Sequence, residues 1–295
     1  MSKALPIYSI NEFQSLNLDS EFYANLLNPH VKEHHFTRLP HKHDFYLIVL
    51  ITGGSGMHEI DFESYSVVPG MLFILKPGQM HFWKLSDDID GYVFFHSRDF
   101  YDKGYLANSI KDFEFYASYQ NPPCIQLNIE AISRMKSLMK ELVNEYTDDQ
   151  VLKWQKVHSI INLVYIEIAR VYSPGNQVNS EKYLLKVRAF EDLIEENYKQ
   201  VKFAKDYASM LNITEKHLNR ITKNCLNKTS SQLISERILL EAKRMLMHSK
   251  LNVTEVSEEL GFNESSYFIR FFKKHTDLTP LHFLHRYMEK DKSQI

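Results

Sequence analysis

The sequence predicts a multidomain α+β protein: an N-terminal antiparallel β-barrel followed by helices, then an all-α domain with two helix-turn-helix motifs joined by a long helix. Three observations carry this. Residues 41–96 are a succession of short β-rich runs broken by turn residues, FYLIVLI, TGGSG, MHEIDF, YSVVPG, MLFILKPGQ, MHFWKL and GYVFFH. Ile132, Met135, Met139, Leu142 and Tyr146 step by three and four, as do Trp154, Val157, Ile161, Val164, Ile168 and Val171, which is the period of two amphipathic helices. From residue 181 onward strand signals disappear and one helix-turn-helix pattern is written twice.

Taken in order, residues 1–38 lack strong periodicity and predict an arm with a short helix around 19–28. The β-barrel follows at about 38–98 and the helix pair at about 130–172, closing a first domain over 1–172. The two apolar stripes suit either a cover for the β domain or a seam between two subunits. Residues 173–181, opening with SPGNQVNS, are polar and rich in turn formers, and predict a linker to a second domain over 182–295.

At 295 residues, 44% hydrophobic and 24% charged, the chain is long enough to bury two cores. No run approaches the roughly 20 apolar residues that span a bilayer. Phe45, Tyr46, Leu47, Ile48, Val49, Leu50 and Ile51 form the longest pure run, which suits a buried strand. The N-terminus lacks the apolar core of a secretion signal, and Cys124 and Cys225 are far apart, so a reducing cytoplasm is the expected setting. The net charge of -2 hides an asymmetry: 20 Lys or Arg against 16 Asp or Glu from residue 181 on, and 15 against 21 before it. The basic excess sits with the repeated motif.

In the second copy, residues 254–280, Val256 and Leu260 share a helical face and Gly261 suits a sharp turn. Asn263 or Glu264 caps the next helix. There Tyr267, Phe268, Phe271 and Phe272 are expected in the core, with Ser265, Ser266, Ile269, Arg270 and Lys273 outward. Alone, this also describes an ordinary helix hairpin. The first copy, KDYASMLNITEKHLNRITKNCL, places Ala208, Leu211, Asn212 and Ile213 49 residues before Ser257, Leu260, Gly261 and Phe262, whereas Arg220 stands 50 before Arg270. One residue is therefore added in the second turn. A helix with Leu185, Phe190, Leu193 and Ile194 on show precedes the first copy, at about 182–197. Another, over about 230–248, joins the copies and would be about 28 Å long. Two rigidly joined units can enter successive major grooves, about 34 Å apart.

EELGFNESSYFIRFFKKHTDLTPLHFLHR resembles the signature of the AraC/XylS family of bacterial transcription regulators, and residues 186–288 resemble its DNA-binding domain with two helix-turn-helix motifs. The chain departs from the usual pattern at Asn212, Asn227 and Asp277, turn positions often filled by glycine, and at Thr222, where an aromatic is usual. The resemblance implies a first reading helix over about 214–226, with Lys216, Asn219 and Arg220 toward bases and Lys223 near phosphate. Leu218 and Ile221 would be core. In the second, Ser265, Ser266, Ile269 and Arg270 face the groove, and Lys273 and Lys274 meet the backbone.

PHKHDFYLIVLITGGSG and PGMLFILKPGQMHFW resemble the cupin-like sensor domain that precedes this DNA-binding domain in many members. His41, His43 and His81 are the histidines a metal-binding cupin would use, yet the glutamate expected after the first pair is absent. A metal-free pocket is therefore expected, with Tyr46, His58 and Trp83 joining the three histidines around a small-molecule effector, and no cofactor. The implied function is sequence-specific binding of double-stranded DNA by a homodimer, with RNA polymerase as a further partner, in the bacterial cytoplasm at the nucleoid. Ligand binding would alter how the subunits or domains sit and so which half-sites are held. The alternative is a cupin-type metal-dependent oxygenase or isomerase with a helical appendage, which predicts bound iron or manganese. A purely architectural DNA protein leaves the acidic β domain unexplained.

Overall fold

The computed structural model describes residues 5–13, 21–104, 109–110, 113–117, 121–172 and 181–292. The chain divides into two compact units, Pro6–Gly175 and Asn176–Ile295. The expected linker at 173–181 lies outside the described residues except for Glu181.

The described residues of the first unit form the strands β1 Ile7–Tyr8, β2 Phe22–Leu26, β3 Lys42–His43, β4 Tyr46–Gly53, β5 Gly56–Ile60, β6 Glu63–Val67, β7 Met71–Leu75, β8 His81–Leu85, β9 Asp90–His96 and β10 Cys124–Gln126. An antiparallel five-stranded sheet runs β10-β7-β4-β9-β2 and a three-stranded one β6-β5-β8, while β1 and β3 pair in parallel. Between them lie α1 Leu27–Glu33, α2 Arg98–Gly104 and α3 Glu114–Ala117, and the unit ends with α4 Ile129–Thr147 and α5 Lys153–Val171.

The apolar run of β4 has no polar face because both its faces are buried. Leu47, Val49 and Ile51 enter a core between the sheets with Phe73, Val93, Phe95 and Trp83. Ile48 and Leu50 enter a second core against Met135, Met139, Leu142, Ile161 and Val164 of α4 and α5. The helix pair thus covers the large sheet with its apolar stripes, and α4 begins on Asn128, whose side chain accepts the Ala131 N–H. The barrel reaches beyond the expected 38–98, since β2 and β10 are its outer strands.

The short helix expected around residues 19–28 is corrected. Phe22–Leu26 is a strand on the edge of the large sheet, paired with β9, and the helix starts at Leu27. Pro29 explains this boundary, because proline lacks an N–H and fits only the first turn of a helix.

The second unit is helical: α6 Glu181–Asn197, α7 Ala204–Met210, α8 Glu215–Leu226, α9 Ser230–His248, α10 Val253–Glu259, α11 Ser265–Thr276 and α12 Pro280–Lys292. Val187, Phe190 and Ile194 of α6 are buried, but Leu185, expected with them, is 56% exposed. It is five residues from Phe190, off that stripe. On α9, Ile234, Ile238, Ala242 and Leu246 share the core with Leu218, Phe268 and Phe272 of the two later hairpin helices. Capping boxes start α9, at Thr229 with Gln232, and α10, at Asn252 with Glu255.

Candidate nucleic-acid interface and interior cavity

The two copies of the repeat match in element lengths. α7 and α10 have seven residues each, α8 and α11 twelve. Each turn pivots on a left-handed residue, Asn212 at φ 52° and Gly261 at φ 72°. A Cβ at Gly261 would lie 1.9 Å from the Lys199 carbonyl oxygen, so glycine is required there for space as well as for backbone angle. Asn227 and Asp277 end α8 and α11 with φ of 53° and 62°, so the two non-glycine residues take the left-handed C-cap. Thr214 caps α8 on the His217 N–H, whereas Glu264 at the matching place makes no side-chain cap.

Both longer helices bury one stripe and expose another. Leu218, Ile221 and Thr222 of α8 are buried, as are Phe268 and Phe272 of α11. Thr222 is fully buried, with its hydroxyl donating to the Asn219 carbonyl, so it fills the aromatic's position without leaving it open. Lys216, Arg220 and Lys223 are exposed, as are Ser266, Arg270, Lys273 and Lys274; Ser265 and Ile269 are half-buried. Arg220 lies 2.9 Å from His217 Nδ1. Asn219 is half-buried, and its side-chain oxygen accepts the Ser230 N–H at 3.2 Å, tying α8 to the start of α9.

Tyr267 was expected in the core and is 50% exposed instead. It lies three residues before Arg270, on the outward stripe with Lys274, and its aromatic character obscured what its position stated. His217 is its equivalent on α8.

In the first unit a cavity opens between the sheets, lined by His30, His41, His43, His81 and Trp83 together with apolar residues that include Phe45, Val49 and Phe95. His43 Nδ1 faces the Phe45 carbonyl at 2.9 Å and His41 Nδ1 the Leu39 carbonyl at 2.8 Å. His58 lies one layer behind, its Nε2 2.9 Å from His81 Nδ1 and its ring stacked on Trp83 at 3.4 Å between centroids. Tyr46 is not part of this group: it lies in the helix-side core against Tyr116 and His96. His41, His43, Phe45, Leu47 and Val49 keep one parity into the cavity, and Tyr46 falls on the other.

Burial pushes the histidines down, His41 to about 4 and His43 to about 3, in the second case with His41 adding to the effect. His30, missed in the sequence, falls to about 3 through burial and the neighbouring His34 and His41. His58 and His81 lie well below the usual range for the same reason. The rings are therefore neutral near pH 7. Among the described residues no group of three or more His, Cys, Asp or Glu is arranged to hold a metal ion.

Residues 207–286 match a family model described as a helix-turn-helix domain, and residues 27–146 one described as an AraC-like ligand binding domain. The HTH-type transcriptional activator RhaR of Mannheimia succiniciproducens is 22% identical over 253 residues, 85% of this chain and 88% of that protein. The HTH-type transcriptional activator RhaS of Escherichia coli is 20% identical over 275 residues, 93% and 95% of the two chains. The crystal structure of ToxT from Vibrio cholerae O395 covers 90% of this chain and 98% of its own, with 13% identity and a TM-score of 0.43.

Proposed function

The chain belongs to the AraC/XylS family of helix-turn-helix transcription regulators, with a ligand-binding N-terminal part and a DNA-binding C-terminal part, and from this premise we propose how its own residues do the work. α8 and α11 enter successive major grooves. Arg220 and Arg270 read bases, and Lys216 and Ser266 lie beside them at the helix N-termini. Ser265 and Ile269 border the second groove, while Lys223, Lys273 and Lys274 hold phosphates. Asn219 acts mainly by fixing α8 to α9. The boundaries proposed for the parts are 1–172 and 182–295, joined at 173–181.

The observation that carries this is the matched pair of reading helices, twelve residues each, with an exposed arginine at the sixth position of both. Arginine bonds guanine O6 and N7 together, so each contact is worth about 1–3 kcal/mol of discrimination. Fragments selected from genomic DNA by the purified chain define an operator. Arg220→Ala and Arg270→Ala should each relax it at one base pair by that amount, while Lys223→Ala weakens all sequences alike. Unchanged discrimination in both arginine variants would refute the assignment.

The cavity is proposed as the effector site, and the family's function requires no catalysis. A ligand there changes DNA affinity only if it binds the DNA-competent and incompetent states differently. The reading further places the protein in the bacterial cytoplasm at the nucleoid, as a homodimer acting with RNA polymerase. The activator role named for the two relatives is carried over here as a proposal. Sedimentation as a monomer at micromolar concentration, with and without operator, would count against the dimer.

A further inference from the structure

We propose that the cavity takes a neutral, ring-shaped, mostly apolar molecule bearing a single hydroxyl, a phenol, rather than a sugar or a carboxylate. This rests on the effector role proposed above and gives it a chemical class.

Among the described residues the lining includes no Asp, Glu, Lys or Arg, and its ring nitrogens come from histidines and Trp83. An ionised carboxylate would therefore lie in an apolar space with no cation to meet it. His43 fixes the sign of the polar contact. Its Nδ1 faces a carbonyl, which only accepts, so that nitrogen carries the hydrogen. In the neutral ring Nε2 is then a lone pair, and it is buried without a partner. Only a donor satisfies it.

His81 Nε2 is likewise buried without a partner, and the two rings are 4.9 Å apart between centroids, close enough for one oxygen to serve both. When His58 Nε2–H donates to His81 Nδ1, the neutral His81 ring carries its single hydrogen at Nε2. That N–H donates to the ligand oxygen, whose own O–H donates to His43. One hydroxyl thus serves both Nε2 atoms. A sugar brings several more, and each would be buried unpaired among Phe45, Val49 and Phe95.

The free volume is about 20 Å³, room for a single water. A ring-sized ligand must displace side chains, and the available walls are rings such as Phe45 and Phe95, with no side-chain hydrogen bonds to break.

Calorimetric titration of the full chain with 4-methylphenol, toluene, 4-methylbenzoate and D-glucose tests this. The expected result is 4-methylphenol at least tenfold tighter than toluene, with the other two weaker still. His43→Leu should erase the tenfold difference while toluene remains bound. Should that variant fail to bind toluene, His81→Leu makes the same comparison. Tighter binding of glucose or 4-methylbenzoate, no binding of either aromatic, or a difference that survives both variants overturns the proposal. Selection of genomic DNA, run on the same preparation, separates the two readings: a chain that selects DNA and ignores all four probes loses only the ligand class. One that selects no DNA loses the regulatory role.

Discussion

Arg220 rests on His217 and Arg270 has Tyr267 three residues before it, so each reading helix presents an arginine beside a ring on its outward stripe. The ring at position 267 is half exposed, an arrangement that contributes little to folding and leaves apolar surface for a thymine methyl. Tyr267→Ala should therefore change unfolding free energy by no more than about 0.5 kcal/mol, as for an ordinary surface site. Operator affinity should fall by about 1–3 kcal/mol. Urea unfolding and operator titration check the two halves, and a stability loss matching the affinity loss would return Tyr267 to the core. Spacing alone put Arg270 and Lys273 on the outward stripe of α11, whereas Lys216, Arg220 and Lys223 of α8 followed from the family resemblance; all five are exposed. Tyr267 was misplaced because aromatic type was weighed above position, and Tyr46 because the β4 run is apolar on both faces, leaving parity with His41 and His43 as the signal.

Between elements, the contacts that join the two motifs are ones periodicity does not record. Lys202 Nζ donates to the carbonyls of Tyr198, Lys199 and Leu260 at 2.5, 2.7 and 2.6 Å, gathering the end of α6 and the end of α10 onto one ammonium. Its charge suits helix C-termini, where carbonyls lack partners. Arg237 of α9 similarly binds Glu195 of α6 through Nη2 at 2.9 Å and Glu241 through Nη1 at 3.2 Å. Lys202→Met keeps the length of the side chain and strips the donors. It should destabilise the second unit by about 1–3 kcal/mol, the range for charged hydrogen bonds. If Lys202 also fixes the spacing of α8 and α11, the variant should bind a single half-site as the parent does and tolerate changed half-site spacing better. An unchanged spacing preference would leave Lys202 a fold-stabilising residue alone. The helix pair within 129–171 and the helix at 230–248 were legible because they rest on local period. The α6–α10 tie is between residues 58 apart, and nothing local marks it.

Across the whole molecule, the lowered histidines are unevenly shared. His30, His41, His43, His58, His81 and His96 all belong to the first unit and are held neutral chiefly by burial. In the second unit His275 is lowered by partial burial and the neighbouring Lys274, and it is exposed. The sign follows from proton uptake. Below about pH 6.5 the unfolded chain binds protons that the folded unit refuses, so stability falls with falling pH, down to the folded values of about 3 to 4. Each such histidine contributes about 1.4 kcal/mol per pH unit inside that window. Scanning calorimetry from pH 7.5 to pH 5 should therefore lower the transition of the β unit much more than that of the helical unit. His30→Phe should reduce the slope, since it removes one of the titrating rings while keeping the apolar volume. Equal shifts of both transitions would mean that the histidines open to water before the unit unfolds. The cavity that His30, His41, His43 and His81 line would then be loose enough to admit polar guests, so the calorimetric slope and the ligand class stand on the same property: a dry interior.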